Sequence, residues 1–135
     1  MTTNEQIDCL LGEAAELCDI ESVLRVRGNE WAFVLSADLL IEIEFDAVRK
    51  CLSLNAALGR PEQARRLEIY EQLLVFASLG RQTGGLRVAL DEPGGCLWLI
   101  LDLFIDEPDA AEFVAVFDLF VEKVVSRTRP PTPAL

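Results

Sequence analysis

An alternation of apolar and acidic residues in the middle of the chain constrains the fold most strongly. Every second position is apolar and the positions between are mostly acidic: Leu39, Ile41, Ile43 and Phe45 against Leu40, Glu42, Glu44 and Asp46. This pattern is typical of a half-buried antiparallel strand with one dry face and one acidic face. Residues 31–36 and 51–56 also alternate with a period of two, without acidic residues. The sequence therefore predicts a meander of three strands.

Three amphipathic segments predict helices around this meander. Thr3 and Gln6 have the spacing of a capping box, and apolar residues then recur at steps of three and four as far as Cys18. A second helix is expected from Pro61 to about Leu79, and a third from the acidic turn at 106–109 onward.

Two further strands, at 86–90 and 96–101, predict a hairpin between the second and third helices. Residues 19–30 fit either a short edge strand or an extended connection. The expected order is thus helix, three strands, helix, two strands, helix, which is an α+β fold with a twisted antiparallel sheet flanked by helices. We expect one domain over residues 1–129 and a flexible Pro-rich tail over residues 130–135.

The charge of the chain excludes two classes of partner. Twenty-three acidic residues against 12 basic ones give a net charge of −11. Nucleic acids and anionic membranes are bound by basic surfaces, so we expect neither as a partner. The longest apolar run, Cys96–Leu101, is far shorter than the roughly 18 residues of a membrane-spanning helix, so no membrane insertion is expected.

No catalytic, metal-binding or cofactor-binding residues are predicted. The chain has no histidine, which is the commonest acid–base group near neutral pH and the commonest metal ligand. No pair of its cysteines (Cys9, Cys18, Cys51 and Cys96) has zinc-site or redox spacing. The acidic face at 42–46 is interpreted as a solvated surface. We therefore expect a binding protein; an enzyme using a cysteine or a carboxylate is the alternative.

The second helix carries more apolar surface than one sheet face needs. Two neighbouring apolar stripes cover roughly half of its circumference. The surplus predicts contact with a second copy of the chain. The residues expected at this dimer interface are Ile69, Leu73, Phe76 and Trp98.

Three stretches of sequence resemble a known family. Residues 39–45 look like the second strand, residues 86–91 with 94–99 like the hairpin, and residues 113–125 like the closing helix of the class I chaperones of bacterial type III secretion, the CesT/SycE-like family. The resemblance implies a homodimer in the bacterial cytoplasm. Such a chaperone binds the N-terminal segment of a secreted effector in extended form and keeps it secretion-competent without nucleotide hydrolysis.

The export ATPase is implied as a further partner. For the effector contact we favour four apolar residues near the first helix: Phe33, Leu35, Ile7 and Leu11. Two other functions stay open at the level of sequence. One is a general cytoplasmic holdase of the SecB kind, and the other is a regulatory dimer with no role in export.

Overall fold

The computed structural model describes residues 2–20, 22–78, 85–91 and 95–128. For residues 76–78 and 128 it describes the backbone only. The chain forms an α+β fold, as expected. Its elements in order are α1 (Asn4–Leu17), β1 (Ser22–Arg27), β2 (Glu30–Ser36), β3 (Leu39–Asp46), β4 (Cys51–Gly59), a 3₁₀ turn (Gln63–Arg65), α2 (Arg66–Ser78), β5 (Arg87–Asp91), β6 (Cys96–Phe104) and α3 (Ala110–Thr128).

The six strands form one antiparallel sheet in the order β1-β2-β3-β4-β6-β5. The first four strands form a meander, and the β5–β6 hairpin joins it through β6. The sequence predicted a meander of three strands, whereas the structure has four, because residues 22–27 pair with β2 as an edge strand. This pairing settles residues 19–30, which the sequence had left between an edge strand and a connection.

Helices α1 and α3 begin where side-chain hydrogen bonds satisfy their first backbone groups. At α1 the Gln6 N–H donates to Thr3 Oγ1, and the Thr3 N–H donates to Gln6 Oε1, so the expected capping box is present. Asp109 caps α3 by accepting hydrogen bonds from the backbone of Ala111 and Glu112.

The expected start of the second helix at Pro61 is wrong. Glu62 offers no side-chain cap, and the first turn is a 3₁₀ turn closed by a hydrogen bond from the Arg65 N–H to the Glu62 carbonyl. The α-helix begins only at Arg66. The expected end near Leu79 and the Pro-rich tail at 130–135 lie outside the described residues.

One face of the sheet, called here the inner face, packs against α1 and α3. The core holds buried residues from both helices and from β2, β3, β4 and β6. At its centre, Phe33 of β2 contacts Phe113 and Phe117 of α3, with ring centroids 6.2 and 5.2 Å away. The opposite face, called here the outer face, carries the acidic positions of β3, and Glu42 and Glu44 are exposed there.

The aromatic cluster predicts where the fold is most sensitive to truncation. We expect Phe117→Ala to lower the free energy of unfolding by about 3–5 kcal/mol, because the buried ring leaves a cavity between α3 and β2. Chemical denaturation followed by circular dichroism measures this change. Leu119→Ala, on the exposed side of the same helix, is the matched control and should cost far less. Equal losses for the two variants would contradict the proposed position of the core.

Candidate partner-binding surface

The edge strand β1 is fastened to α1 on its inner side by Arg25. The guanidinium donates to both carboxylate oxygens of Glu5, at 3.2 and 2.9 Å, and to the Gly28 carbonyl at 2.8 Å. It also lies 5.5 Å from the centre of the Trp31 ring, whose indole N–H donates to Asp8 of α1 at 2.8 Å. These contacts hold β1 in place by its inner side.

The outer side of β1 carries apolar residues that face solvent. Arg25 points toward α1, so Leu24 and Val26 point the other way and are 54% and 60% exposed. Leu40 of β3 is also exposed on this face. Because β1 ends the sheet, one of its backbone edges has no neighbouring strand among the described residues.

These residues form a groove of about 450 Å³ on the outer face, called here the outer groove. Its apolar wall consists of Leu24, Val26 and Leu40, Ala32 forms part of its floor, and its acidic wall is formed by Glu30, Glu42 and Glu44. An open strand edge beside an apolar groove can bind an extended peptide through backbone hydrogen bonds and side-chain pockets together.

A second depression continues the outer face toward β5. It measures about 440 Å³, shares Glu42, Glu44 and Asn55 with the outer groove, and is lined at its far side by Trp98 and Ile100. Nearby, Asp102 accepts hydrogen bonds from Ser53 Oγ at 2.8 Å and from Arg87 at 2.7 Å. The charge of Asp102 is therefore balanced within the chain.

Helix α2 presents a separate apolar surface, called here the α2 patch. Leu67 and Leu74 are 75% and 70% exposed, and Val75 is exposed beside them. Beneath this patch, a cavity of about 230 Å³ separates α2 from the hairpin; Tyr70, Leu73, Val88 and Leu97 are among its lining residues. The cavity and the Trp98 depression share Ala89 and Leu90 of β5.

Of the residues expected at the dimer interface, Ile69 and Leu73 lie on α2 and Trp98 lies on β6. Ile69 and Trp98 are half-buried, and Leu73 is buried by its own chain. The side chain of Phe76 lies outside the described residues. The interface itself stays a prediction. Among the described side chains of α2, Leu67 and Leu74 are the most exposed apolar ones. Sequence periodicity placed them on a stripe beside that of Leu73 but could not show which of the two stripes faces solvent.

The residues expected to contact an effector lie deeper than anticipated. Ile7, Leu11 and Phe33 are fully buried in the core, and Leu35 is half-buried against it. In this conformation the first three offer no surface to a partner, because the packing of α1 and α3 on the sheet covers them. The exposed apolar residues of the neighbouring strand β1 are Leu24 and Val26. Their alternation with Arg25 and Arg27 was the sequence pattern from which an exposed strand could have been predicted.

Two of the cysteines have thiols with a raised pKa. Burial, with a smaller contribution from Asp118, raises the pKa of the Cys18 thiol, and burial also raises the pKa of Cys51. A raised pKa lowers the thiolate fraction, which is opposite to the activation of a nucleophilic cysteine. Over residues 2–20, 22–78, 85–91 and 95–128, no group of three or more potential ligands could hold a metal ion. No helix in these ranges is long and apolar enough to cross a membrane.

Three solved complexes contain chains of the same fold. The chain matches one in the ExsC–ExsE complex with a TM-score of 0.77 and 18% identity, over 100% of both chains. It matches one in the HopA1–SchA chaperone–effector complex with a TM-score of 0.74 and 14% identity, over 93% of this chain and 94% of that one. The third is the heterodimeric ExoU–SpcU complex from the type III secretion system of Pseudomonas aeruginosa, with a TM-score of 0.63 and 15% identity over 85% and 91%.

The chain thus has the small α+β fold of the chains that it matches in these complexes. The sequence identifies the family. The model of the Tir chaperone protein (CesT) family matches residues 27–127, well over half of the chain. The chain therefore belongs to the CesT family of chaperones, as the sequence resemblance indicated. A search of curated proteins finds no match.

The Arg25–Glu5 contact predicts a pH dependence. The hydrogen bond from Arg25, and then its charge, lower the pKa of Glu5 from its ordinary value of 4.5. The pKa of Glu5 is lower in the folded than in the unfolded state, so ionised Glu5 stabilises the folded state. This stabilisation is present above pH 4.5 and is lost as the pH falls through the lowered pKa of the folded state.

Titration of the Glu5 carboxyl by NMR measures this effect. We expect a pKa below 4.5 in the wild-type protein and a return toward 4.5 in the Arg25→Gln variant. Identical titration curves in the two proteins would contradict the contact between α1 and β1.

Proposed function

We propose that this chain is a homodimeric chaperone of type III secretion. It binds the N-terminal segment of a secreted effector in extended form in the bacterial cytoplasm and keeps it soluble and secretion-competent. It hydrolyses no nucleotide and catalyses no reaction; its export ATPase partner would act on the complex that it delivers.

One observation carries this proposal: the open edge of β1 lies beside an apolar groove on the outer face of the sheet, while the inner face is already packed against α1 and α3. The backbone edge of β1 can pair with an extended segment, and Leu24 and Val26 can contact its side chains. Membership of a chaperone family and the chaperone–effector complex among the structural neighbours support the same function. Ile7, Leu11 and Phe33 take part indirectly, because their packing holds β2 beneath the groove.

The proposed dimer contact joins the α2 patch and the neighbouring edge of the sheet. Ile69, Trp98 and the exposed Leu67 and Leu74 contribute apolar area, and the cavity above Leu73 could accept a side chain of the second copy. The aromatic ring of Trp98 is a suitable interface anchor. This placement leaves the β1 end of the outer groove, with Leu24 and Val26, available for the effector.

Affinity capture from extract of the native cell tests the proposed function. We expect the tagged chain to retain one secreted protein through its N-terminal segment. Leu24→Asp should lose that protein, because burying a leucine contributes about 1.5–3 kcal/mol, or roughly a tenfold to hundredfold change in affinity. Leu119→Asp, at an exposed position of α3, is the control and should retain it. A broad set of unfolded proteins would favour a general holdase, and no bound protein would favour a regulatory dimer.

Light scattering of the purified chain tests the dimer. We expect the wild-type protein to be a dimer and Leu74→Asp to be a monomer, because a carboxylate in the apolar contact would be desolvated without a partner. Leu74 is preferred to Leu73 since it is exposed and its substitution spares the packing between α2 and β5. A Leu74→Asp protein that remained dimeric would contradict the α2 patch as the contact.

A further inference from the structure

Two glutamates of the outer groove have no positive partner in the part of the chain that the structure describes. Glu42 and Glu44 are exposed on β3, and none of the ion pairs among the described residues includes them. Their neighbours on β4, Asn55 and Ser53, are uncharged. By contrast, Asp102 on the same face is paired with Arg87.

Glu44 also lies directly opposite another acid. Its cross-strand neighbour on β2 is Glu30, and like charges in that position destabilise a sheet. Arg27 relieves only part of this repulsion, since its closest approach to the Glu30 carboxylate is 3.9 Å and both side chains are solvent-exposed. A cation brought by a partner would therefore relieve a repulsion that persists in the free chain.

Leu24 of the apolar wall and Glu42 of the acidic wall lie in one row across the sheet. Leu24 pairs with Ala32, and Ala32 pairs with Glu42, so the leucine and the glutamate are two strand spacings apart, about 10 Å. An extended segment that leaves the β1 edge and crosses the outer groove along this row can place an apolar side chain on Leu24. A lysine or arginine two residues further along the segment then reaches Glu42, because side chains on one face of a strand repeat every ~7 Å.

We propose that the outer groove selects segments in which a lysine or arginine lies two residues from an apolar residue, and that Glu42 and Glu44 determine this selectivity. The inference rests on the proposed function and adds the chemistry of the bound segment: apolar side chains on Leu24, Val26 and Leu40, and a cation over the two glutamates. The net charge of −11 favours the approach of such a segment from solution.

Selection of short random peptides displayed on phage, against the full-length immobilised protein, tests the selectivity. Three proteins are compared: wild type, the Glu42→Gln/Glu44→Gln double variant, and the Glu16→Gln/Glu122→Gln double variant. The last removes the same charge from exposed positions on α1 and α3. We expect wild type and the Glu16/Glu122 control to enrich peptides with Lys or Arg near an apolar residue. The groove variant should enrich apolar peptides without that preference.

A selected peptide and its Lys/Arg→Gln version then measure the coupling by fluorescence anisotropy. Against wild type, removal of the basic residue should weaken binding about three- to tenfold, the range expected for two partly screened ion pairs. Against the groove variant it should change little. Equal losses against both proteins, wild-type enrichment without basic residues, or no enriched peptide at all would overturn the inference.

The same variants separate this inference from the proposed function. If the groove variant captures the secreted protein with unchanged affinity and unchanged salt dependence, the chaperone function stands and the charge selectivity is wrong. If no secreted protein is captured by wild type while displayed peptides still show the basic preference, the groove has the proposed chemistry and the export function is wrong.

Discussion

The structure depends on the unequal covering of its sheet. α1 and α3 pack on the inner face around Phe33, Phe113 and Phe117, and this contact supplies the hydrophobic core. The outer face keeps exposed acids in its middle and apolar residues toward both ends. Because one face already supplies the core, the apolar residues of the other are available at β1 for the proposed partner and near β5 for the proposed second copy.

Arg25 makes this division possible at the edge of the sheet. An edge strand with exposed apolar residues would be free to detach or to pair with other chains. The hydrogen bonds from Arg25 to Glu5 and Gly28 hold β1 against α1 by its inner side. The outer side and the free backbone edge of the strand thus stay open, while the strand itself is fixed in position for a bound segment.

Much of this fold could be predicted from local patterns, and the surface could not. The capping box at Thr3 and the alternation along β3 act through residues close in sequence, and both appear as expected. In β1, Arg25 faces inward because it binds Glu5 of α1. Glu5 lies 20 residues away in sequence, so local alternation could not reveal this contact and left the strand ambiguous. The three residues expected to contact an effector and found fully buried are Ile7, Leu11 and Phe33. They are buried in one core with residues of α3, which lie far away in sequence, so no local pattern could predict their burial.

Amide hydrogen exchange of the chain, alone and bound to its secreted partner, tests the central claim most directly. If the partner pairs with the free edge of the sheet and covers the outer groove, the amides of Ser22–Arg27 exchange more slowly in the complex. The exposed sides of α1 and α3 should then show little change. Protection confined to α1 and α3, with β1 exchanging at its free rate, would contradict binding at the outer face.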